Sequence, residues 1–238
     1  MKIIAIGDIH GRDCWKDIVE KHPEADKYIF LGDYVSTHEN VTSKQQCDNL
    51  REILDFKIKN PDKVVLLRGN HDIQHLGYYW AECSGYDKAV EEYMCNIKEE
   101  FLSLTQWIYI DNNIIYSHAG ISEVWFKNTR LNDINDINNV EPCELFGFTP
   151  CKLSDYNGIS STQPLTWIRP WTLLECAYDD YTYIVGHTPT VYGICNIKES
   201  FMKEYPEDYS NSNNIWLCDA LPKEYLIVDD GKISIGKL

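Results

Sequence analysis

The chain has 238 residues, of which 44% are hydrophobic and 25% charged, a composition that is typical of a folded globular protein and excludes a disordered one. No apolar run approaches the roughly 20 residues of a membrane-spanning helix. The 22 basic and 37 acidic residues give a net charge of −15, which argues against general binding to nucleic acids or to anionic membranes.

Five short apolar runs, rich in β-branched and aromatic residues, predict buried β-strands. In chain order they are Ile3–Ile6, Tyr28–Leu31, Val64–Leu67, Ile114–Tyr116 and Tyr181–Val185. Because helical patterns lie between these runs, the sequence indicates an α/β domain in which helices cover the sheet.

Three helices are predicted among the first strands. A short apolar face over Trp15–Val19 predicts the first helix. Thr42 and Gln45 match a capping box, so the second helix should begin here and end before Pro61. Apolar residues at helical spacing over Val90–Phe101 predict one continuous third helix.

The second half of the chain is less regular. Residues 128–164 are polar, rich in asparagine and without a clear period, so we expect an insertion or cap near the edge of the sheet that carries the site. Lys223–Ile235, with Asp230-Gly231 at its centre, predicts a hairpin. The length suits one domain better than two, and we expect a single domain over residues 1–238.

Each predicted strand is followed by a motif that contains Asp, His or Asn, mostly flanked by glycine. The motifs are Gly7-Asp8-Ile9-His10-Gly11, Gly32-Asp33, Gly69-Asn70-His71-Asp72, Ser117-His118-Ala119-Gly120 and Gly186-His187-Thr188. Sites in open α/β sheets form beyond the carboxyl ends of strands, and glycine lets the backbone turn sharply there. These segments are therefore expected to contribute to one site.

The pooled side chains are candidate metal ligands. They are Asp8, His10, Asp33, Asn70, His118 and His187. Carboxylates and imidazoles suit Mn, Fe, Zn or Ni, whereas a set without thiolates fits a structural zinc site badly. Six ligands are too many for one catalytic zinc ion, but they fit two ions bridged by a carboxylate. We expect two divalent metal ions, with Mn²⁺ as the first choice.

In this order the five motifs resemble those of the calcineurin-like metallophosphoesterases. The phrase Leu31-Gly32-Asp33-Tyr34-Val35 is similar to the phosphoprotein phosphatase branch in particular. So is the pairing of Trp167-Ile168-Arg169-Pro170 with Gly186-His187-Thr188-Pro189, as in bacterial and phage serine/threonine phosphatases. The resemblance runs from residue 1 to about residue 190. It implies an α/β sandwich of two mixed β-sheets flanked by helices.

The resemblance also implies roles for individual residues. Asp33 would bridge the two metals. The remaining ligands would be Asp8 and His10 at the first metal and Asn70, His118 and His187 at the second. His71 would be the catalytic general acid near the leaving-group oxygen, and Arg169 would bind phosphate oxygens, a task that suits a planar guanidinium.

The second motif departs from the family pattern at two positions. Ser36 stands where the family has the aspartate that orients the catalytic histidine, and Thr37 stands where it has an arginine that contacts phosphate. The candidate substitutes are Asp72 or Glu39 as the carboxylate that orients His71, and Arg12 as a second phosphate contact.

Other side chains have simpler interpretations. Arg169 lies between two tryptophans, so the alternative to phosphate binding is that its side chain stacks on their rings and has no further role. Arg68 fits a structural charge at a strand end. Three histidines lack a strand-end setting and are expected to be ordinary surface residues: His22, His38 and His75.

The expected function is hydrolysis of a phosphomonoester by a hydroxide that two metals activate, with a protein phosphorylated on serine or threonine as the first-choice substrate. Two alternatives stay open: a nucleotide hydrolase resembling diadenosine tetraphosphatases, which share these motifs, and a metal-binding module without turnover. The expected partner is a phosphorylated protein or a small phosphoester, not nucleic acid or a membrane. No signal peptide is evident and the nine cysteines include no CxxC pair, so we expect a cytoplasmic protein with reduced thiols.

Overall fold

Ten strands lie within the residues that the computed structural model describes, which are 1–37, 39–78, 83–146, 160–199 and 213–238. They are β1 (Lys2–Ile6), β2 (Lys27–Phe30), β3 (Val64–Leu66), β4 (Ile108–Asp111), β5 (Ile114–Ser117), β6 (Thr182–Pro189), β7 (Cys195–Asn196), β8 (Ile215–Asp219), β9 (Glu224–Asp229) and β10 (Lys232–Lys237). The five predicted strands and the predicted hairpin, formed by β9 and β10, are confirmed.

The strands form two mixed five-stranded sheets, as the resemblance implies. One sheet has the order β10-β9-β1-β2-β3, in which β1, β2 and β3 are parallel and the hairpin strands are antiparallel. The other has the order β4-β5-β6-β8-β7, in which β5, β6 and β8 are parallel and both edge strands are antiparallel. The carboxyl ends of the parallel strands therefore share one edge in each sheet.

Alternate residues of the central strands face two different cores. Ile3 and Ala5 of β1 cluster with Tyr116 of the second sheet, which places them between the sheets. Ile4 and Ile6 belong to the larger cluster that lies under the helices. Because strand β1 is buried on both faces, its sequence is continuously apolar and does not alternate with polar residues.

Seven α-helices whose bounds lie wholly within the described residues accompany the sheets. They are α1 (Trp15–Lys21), α2 (Ser43–Lys59), α3 (Asn70–Gln74), α4 (Lys88–Asn96), α5 (Lys98–Leu104), α6 (Glu123–Thr129) and α7 (Pro170–Cys176). None of them combines the length and apolarity that a bilayer span requires. The predicted capping box at the start of α2 is confirmed, because Thr42 and Gln45 each accept a hydrogen bond from the other's main-chain nitrogen.

The prediction of one continuous helix over Val90–Phe101 is wrong. The segment forms α4 and α5, and Ile97 lies between them with φ −107° and ψ 14°. Phe101 N still donates to Ile97 O over 2.8 Å. The apolar spacing therefore continues through the break, which explains why the sequence pattern did not reveal it.

The predicted insertion at 128–164 is described at residues 128–146 and 160–164, and residues 147–159 lie outside the description. Two 3-10 helices, Ile134–Asn139 and Glu144–Phe146, follow α6. The Asn138 side chain accepts from Trp107 N and Ile108 N and donates to Ile108 O, at 2.9–3.0 Å. These bonds satisfy main-chain groups at the start of edge strand β4.

Candidate metal centre

The five strand-end motifs meet where the edges of the two sheets come together. His118, after β5, donates from Nδ1 to the carbonyl oxygen of Leu31, after β2, over 2.8 Å. The main-chain nitrogen of His187 donates to both carboxylate oxygens of Asp8, at 3.1 and 2.9 Å. Contacts between the sheets thus place the ends of β1, β2, β5 and β6 side by side.

All six predicted ligands lie in this cluster. Two groups of side chains could each hold a metal ion, with ligand atoms within 4.8 Å of one another. They are Asp8, His10 and Asp33 in one group and Asp33, His118 and His187 in the other. Asp33 belongs to both groups, and Asn70 Oδ1 lies 2.9 Å from a ring nitrogen of each histidine in the second.

The three histidines of the two groups are oriented by main-chain carbonyls. The bonds run from His10 Nδ1 to Ser36 O (2.5 Å), from His118 Nδ1 to Leu31 O (2.8 Å) and from His187 Nε2 to Trp167 O (3.0 Å). A carbonyl oxygen only accepts, so each ring carries its proton on that outer nitrogen. The other nitrogen of each ring presents a lone pair to the cluster.

The atoms that converge in the cluster are acceptors. Nε2 of His118 lies 3.4 Å from Oδ2 of Asp33 and 2.9 Å from Oδ1 of Asn70. Lone pairs and carboxylate oxygens at these distances repel one another unless a cation lies among them. Outer-shell carbonyls on metal-ligating histidines have the same arrangement. The donor set therefore fits two divalent cations that share Asp33.

Burial disfavours uncompensated charge on the carboxylates of the cluster. Asp8 and Asp33 are each only 1% exposed. Burial raises the pKa of both carboxyl groups well above the ordinary value, and the neighbouring Asp219 and Asp72 respectively raise it further. Burial lowers the pKa of His118 to about 3, so this ring is neutral. Buried acids beside neutral imidazoles bind a proton or a metal cation, and the two compete.

Three of the candidate ligands have a left-handed backbone. The φ angles are +47° at His10, +51° at Asp33 and +61° at His187. Residues with a side chain rarely adopt this region, and such conformations concentrate at functional sites. The contacts around the strand ends hold these three residues in place.

Two glycines allow the carboxylates to approach the neighbouring backbone. A Cβ atom on Gly69 would lie 2.0 Å from Oδ1 of Asp33, and one on Gly186 would lie 2.0 Å from Oδ1 of Asp8. Both distances are far inside van der Waals contact. Glycine is therefore required at these two motif positions, because any side chain would overlap the neighbouring carboxylate.

His71, the predicted general acid, lies beside the cluster at the start of α3. Its Nε2 atom is 4.0 Å from Oδ2 of Asp33, and its ring meets that of His10 edge to face with centroids 5.3 Å apart. It belongs to neither ligand group. The structure thus places the ring next to the candidate metal sites without making it a ligand.

The two carboxylates proposed to orient His71 have other partners. Asp72 accepts hydrogen bonds from the main-chain nitrogens of Asp33, Tyr34 and Gly69, at 2.8–2.9 Å. Glu39 forms an ion pair with Arg12. Within the described residues neither carboxylate bonds to His71, so Asp72 instead shapes the loop that carries Asp33.

The two candidate phosphate-binding arginines differ in their surroundings. Arg12 donates to the carbonyl oxygen of Asp8 over 3.2 Å, but its charge is paired with Glu39. Arg169 donates from Nη1 to His187 O and Thr188 Oγ1, at 3.0 and 3.1 Å. These bonds hold the Arg169 guanidinium beside a candidate metal ligand, with its other nitrogens available to a ligand as far as the described residues show.

Two polar residues at the site belong to none of the sequence motifs: Gln74, which is buried, and Asp219, which is partly buried. Gln74 Nε2 lies 3.3 Å from Nδ1 of His71. Asp219 ends β8, and burial raises its pKa to about 6 while the charges of Arg12 and Arg169 lower it. The apolar run before Asp219 has the same strand-then-aspartate pattern as β2, which is the signal that could have identified it.

The expectation that His75 is an ordinary surface residue is wrong. Its side chain is fully buried, with Nδ1 2.8 Å from His71 O and Nε2 accepting from Asp87 N over 3.0 Å. Asp87 is the N-cap of α4. The imidazole therefore connects α3 to the start of α4, a structural use that no local pattern signals.

His22 and Arg68 each bond to a side chain of the described residues. His22 is only half-buried, and its Nε2 lies 2.8 Å from the hydroxyl of Tyr225. His38 lies outside the described residues. Arg68 is buried and donates to Thr105 Oγ1 over 2.9 Å, which confirms a structural role.

Comparison with known proteins agrees with this geometry. The family profile described as calcineurin-like phosphoesterase matches residues 1–210. Serine/threonine-protein phosphatase PP1-1 of Saccharomyces cerevisiae is 30% identical over 131 residues, which cover 50% of this chain and 39% of that relative. The matched region thus spans well under half of the relative's length.

Two solved structures share the fold over nearly the whole chain. The cold-active protein-tyrosine phosphatase of Shewanella sp. has a TM-score of 0.64 and 16% identity, covering 99% of this chain and 77% of that one. A protein serine/threonine phosphatase from Saccharomyces cerevisiae, described as similar to human phosphatase PP5, has a TM-score of 0.56 and 15% identity, covering 100% and 80%. Together with the family profile, the fold and the motifs lead to one assignment: the chain belongs to the calcineurin-like phosphoesterase family.

Proposed function

We propose that the protein hydrolyses phosphomonoesters with two divalent metal ions held by the cluster. The observation that carries this proposal is the pair of ligand groups that share Asp33, within reach of Arg169 and His71. The proposed ligands are Asp8, His10 and Asp33 for the first ion and Asp33, Asn70, His118 and His187 for the second. When bound, such ions supply a water activated for attack and positive charge for the phosphoryl oxygens.

The protein's own residues have distinct tasks in this proposal. Arg169, fixed through Nη1 by His187 O and Thr188 Oγ1, directs its remaining N–H groups to phosphate oxygens and stabilises the charge of the transition state. His71, whose ring lies beside the cluster, provides an N–H to the leaving-group oxygen. Burial of the cluster excludes bulk water and strengthens both interactions.

For the substrate we propose a phosphoprotein, with phosphoserine or phosphothreonine as the first choice. The motif after β2 and the identity with the yeast PP1-1 phosphatase support this choice. The Shewanella neighbour, named as a protein-tyrosine phosphatase, makes phosphotyrosine a second candidate. A dinucleoside polyphosphate is less favoured, because a protein with a net charge of −15 repels its long polyphosphate chain.

Two further parts of the proposal concern the whole chain. Pairing of β1 with β9 places both ends of the chain in one sheet, which supports a single domain over residues 1–238. Eight cysteines of the described residues are free thiols, which supports a reducing compartment such as the cytoplasm.

The decisive experiment is a substrate panel on protein of defined metal content. Metal-stripped protein is reconstituted separately with Mn²⁺, Fe²⁺, Zn²⁺ or Ni²⁺. It is then assayed on peptides of one sequence carrying phosphoserine, phosphothreonine or phosphotyrosine, on diadenosine tetraphosphate and on p-nitrophenyl phosphate. We expect metal-dependent release of phosphate from peptides, highest with Mn²⁺. Faster turnover of the dinucleotide would replace the proposed substrate, and no hydrolysis under any condition would leave a binding module.

A further inference from the structure

The side-chain amide of Gln74 has an orientation that its neighbours determine. Its Oε1 accepts from the main-chain nitrogen of Cys83 over 3.2 Å, and its Nε2 donates to the carbonyl oxygen of Ser84 over 3.0 Å. A main-chain N–H can only donate and a carbonyl can only accept, so exchanging the two amide atoms would break both bonds. One hydrogen of Nε2 goes to Ser84, and the other is shared between Ser36 Oγ, at 3.2 Å, and His71 Nδ1, at 3.3 Å. Sγ of Cys83 lies farther from His71 Nδ1, at 3.8 Å.

When the His71 ring is neutral, a donor beside Nδ1 determines which of its two nitrogens carries the proton. Nδ1 accepts from Gln74, so the ring proton belongs on Nε2. Nε2 is the atom that lies 4.0 Å from Asp33 Oδ2. We propose that Gln74 is a positioning residue that, together with Ser36, holds His71 in the Nε2–H tautomer, with an N–H group facing the cluster.

The same rule separates His71 from the three ligand histidines. His10, His118 and His187 each have a carbonyl acceptor at the outer nitrogen, which turns a lone pair inward. His71 has an amide donor at its outer nitrogen, which turns a hydrogen inward. A ring with N–H facing the cluster donates a hydrogen bond to a substrate oxygen, keeps its proton and cannot ligate a metal ion through that nitrogen. The hydrogen-bond partner of the outer ring nitrogen thus determines whether the inner nitrogen can bind a metal ion or donate a hydrogen bond.

Ser36 and Gln74 form a matched pair. Ser36 has φ +65° and directs its hydroxyl to the amide of Gln74. A carboxylate at position 36 would attract the Gln74 N–H groups, and one that reached Nδ1 would favour the opposite tautomer. A short hydroxyl instead shares the amide donor with His71, which keeps Nδ1 an acceptor.

The direct test is the ¹⁵N NMR signature of His71 in the full-length protein loaded with diamagnetic Zn²⁺, assigned by comparison with His71→Asn. We expect a pyridine-type shift at Nδ1 and a pyrrole-type shift at Nε2. In Gln74→Met the two tautomers should mix and the two shifts should converge. The control is Gln46→Met, because Gln46 is also buried and bonds to Ser36 N over 2.8 Å but does not bond to His71. A pyrrole-type shift at Nδ1 in the unmodified protein overturns the proposal even if Gln74→Met and Gln46→Met fail to fold.

A kinetic test rests in addition on the proposed function. Gln74→Met should lower kcat on a phosphoserine peptide by about 10-fold or more with little change in KM, whereas p-nitrophenyl phosphate should be much less affected. Equal losses on both substrates, or the same losses in Gln46→Met, would show a structural role and overturn the proposal. Absence of hydrolysis by the unmodified protein, combined with the expected NMR signature, would reject the proposed function and leave the positioning role supported.

Discussion

The main-chain nitrogen of His71 donates to Oδ1 of Asp33 over 3.0 Å, while Oδ2 of the same carboxylate lies 3.4 Å from Nε2 of His118. One carboxylate thus contacts the start of α3 and a candidate ligand of the second metal. It also belongs to the group formed with Asp8 and His10. A change at Asp33 should therefore affect both metals and the placement of His71.

We expect Asp33→Asn to weaken binding of both metal ions by at least 10–100-fold, because the amide lacks the charge that two cations share. Elemental analysis after dialysis should fall from two ions per chain towards none, and hydrolysis should be lost with them. Asp8→Asn is the control, since Asp8 belongs only to the first group. Two tightly bound ions in Asp33→Asn would contradict the bridging role.

Gly186→Ala should displace Asp8, because the new methyl group would lie 2.0 Å from its Oδ1 atom. Calorimetric titration with Mn²⁺ should show a weaker first site. Gly231→Ala is a matched control: Gly231 has φ +79° and no atom within 4 Å of an added Cβ. That control should cost about 1 kcal/mol of stability and leave metal affinity unchanged. Equal metal affinity in both variants would mean that the cluster tolerates the displacement.

Arg169→Ala should lower kcat/KM, because it removes about 2–4 kcal/mol of transition-state stabilisation. The metal content should stay at two ions per chain. The lost interaction is a charged contact to phosphate oxygens. Arg169→Lys should recover only part of it, because an ammonium lacks the planar fork. If steady-state kinetics show no change for either variant, the arginine only packs near Trp167, whose ring centroid lies 5.9 Å away.

His71→Asn should separate substrates by leaving group. An alkoxide from serine needs an N–H partner as it departs, whereas p-nitrophenolate leaves readily without one. The loss on a phosphoserine peptide should reach about 10²–10⁴-fold, with a far smaller loss on p-nitrophenyl phosphate and no loss of metal. Parallel losses on the two substrates would assign His71 to substrate binding or to support of the metals.

Asp219 and Asp72 should each make the stability of metal-free protein fall as pH rises from about 4 to about 7, whereas the buried neutral His118 contributes in the opposite direction up to about pH 6.5. Burial raises the pKa of Asp219 to about 6 and that of Asp72 to about 7. In this interval the two carboxyl groups keep protons in the folded chain that they have lost in the unfolded chain, so their contribution favours unfolding as pH rises. Urea unfolding at several pH values measures this slope.

Asp219→Asn should reduce this pH dependence. Between about pH 4 and pH 7, the free energy of unfolding of the variant should fall by on the order of 1–3 kcal/mol less than that of the unmodified protein. Metal-loaded protein should show the opposite trend, because the cations bind deprotonated ligands. The same pH dependence in Asp219→Asn as in the unmodified stripped protein would contradict the raised pKa of Asp219.

The sequence predicts that the candidate ligands converge, because they lie at or within a few residues of the ends of short apolar strands. The run before Asp33 and the run before His118 identify both the strand and its polar end from adjacent residues. The parallel pairing of β1 with β2 and of β5 with β6 then brings the motifs together. Local pattern and sheet topology suffice for this part of the site.

The features that the sequence missed depend on contacts between distant or unpatterned residues. Gln74 meets Ser36 across 38 positions, and a single glutamine on a short helix carries no local signal. Strand β8 is stabilised by pairing with β6 and β7, although its own sequence is short. His75 is buried because α3 ends against the start of α4, which follows from tertiary packing.

The main-chain carbonyls that orient the ligand histidines have a consequence for how this protein can change. Position 36 bonds to three side chains through different atoms: its carbonyl oxygen accepts from His10, its hydroxyl oxygen accepts from Gln74 and its main-chain nitrogen donates to Gln46. Every residue has a carbonyl, so mutation can exchange the side chain at position 36 while the ligand ring keeps its partner. The hydrogen bonds around His71 can therefore change while the candidate metal ligands keep their positions.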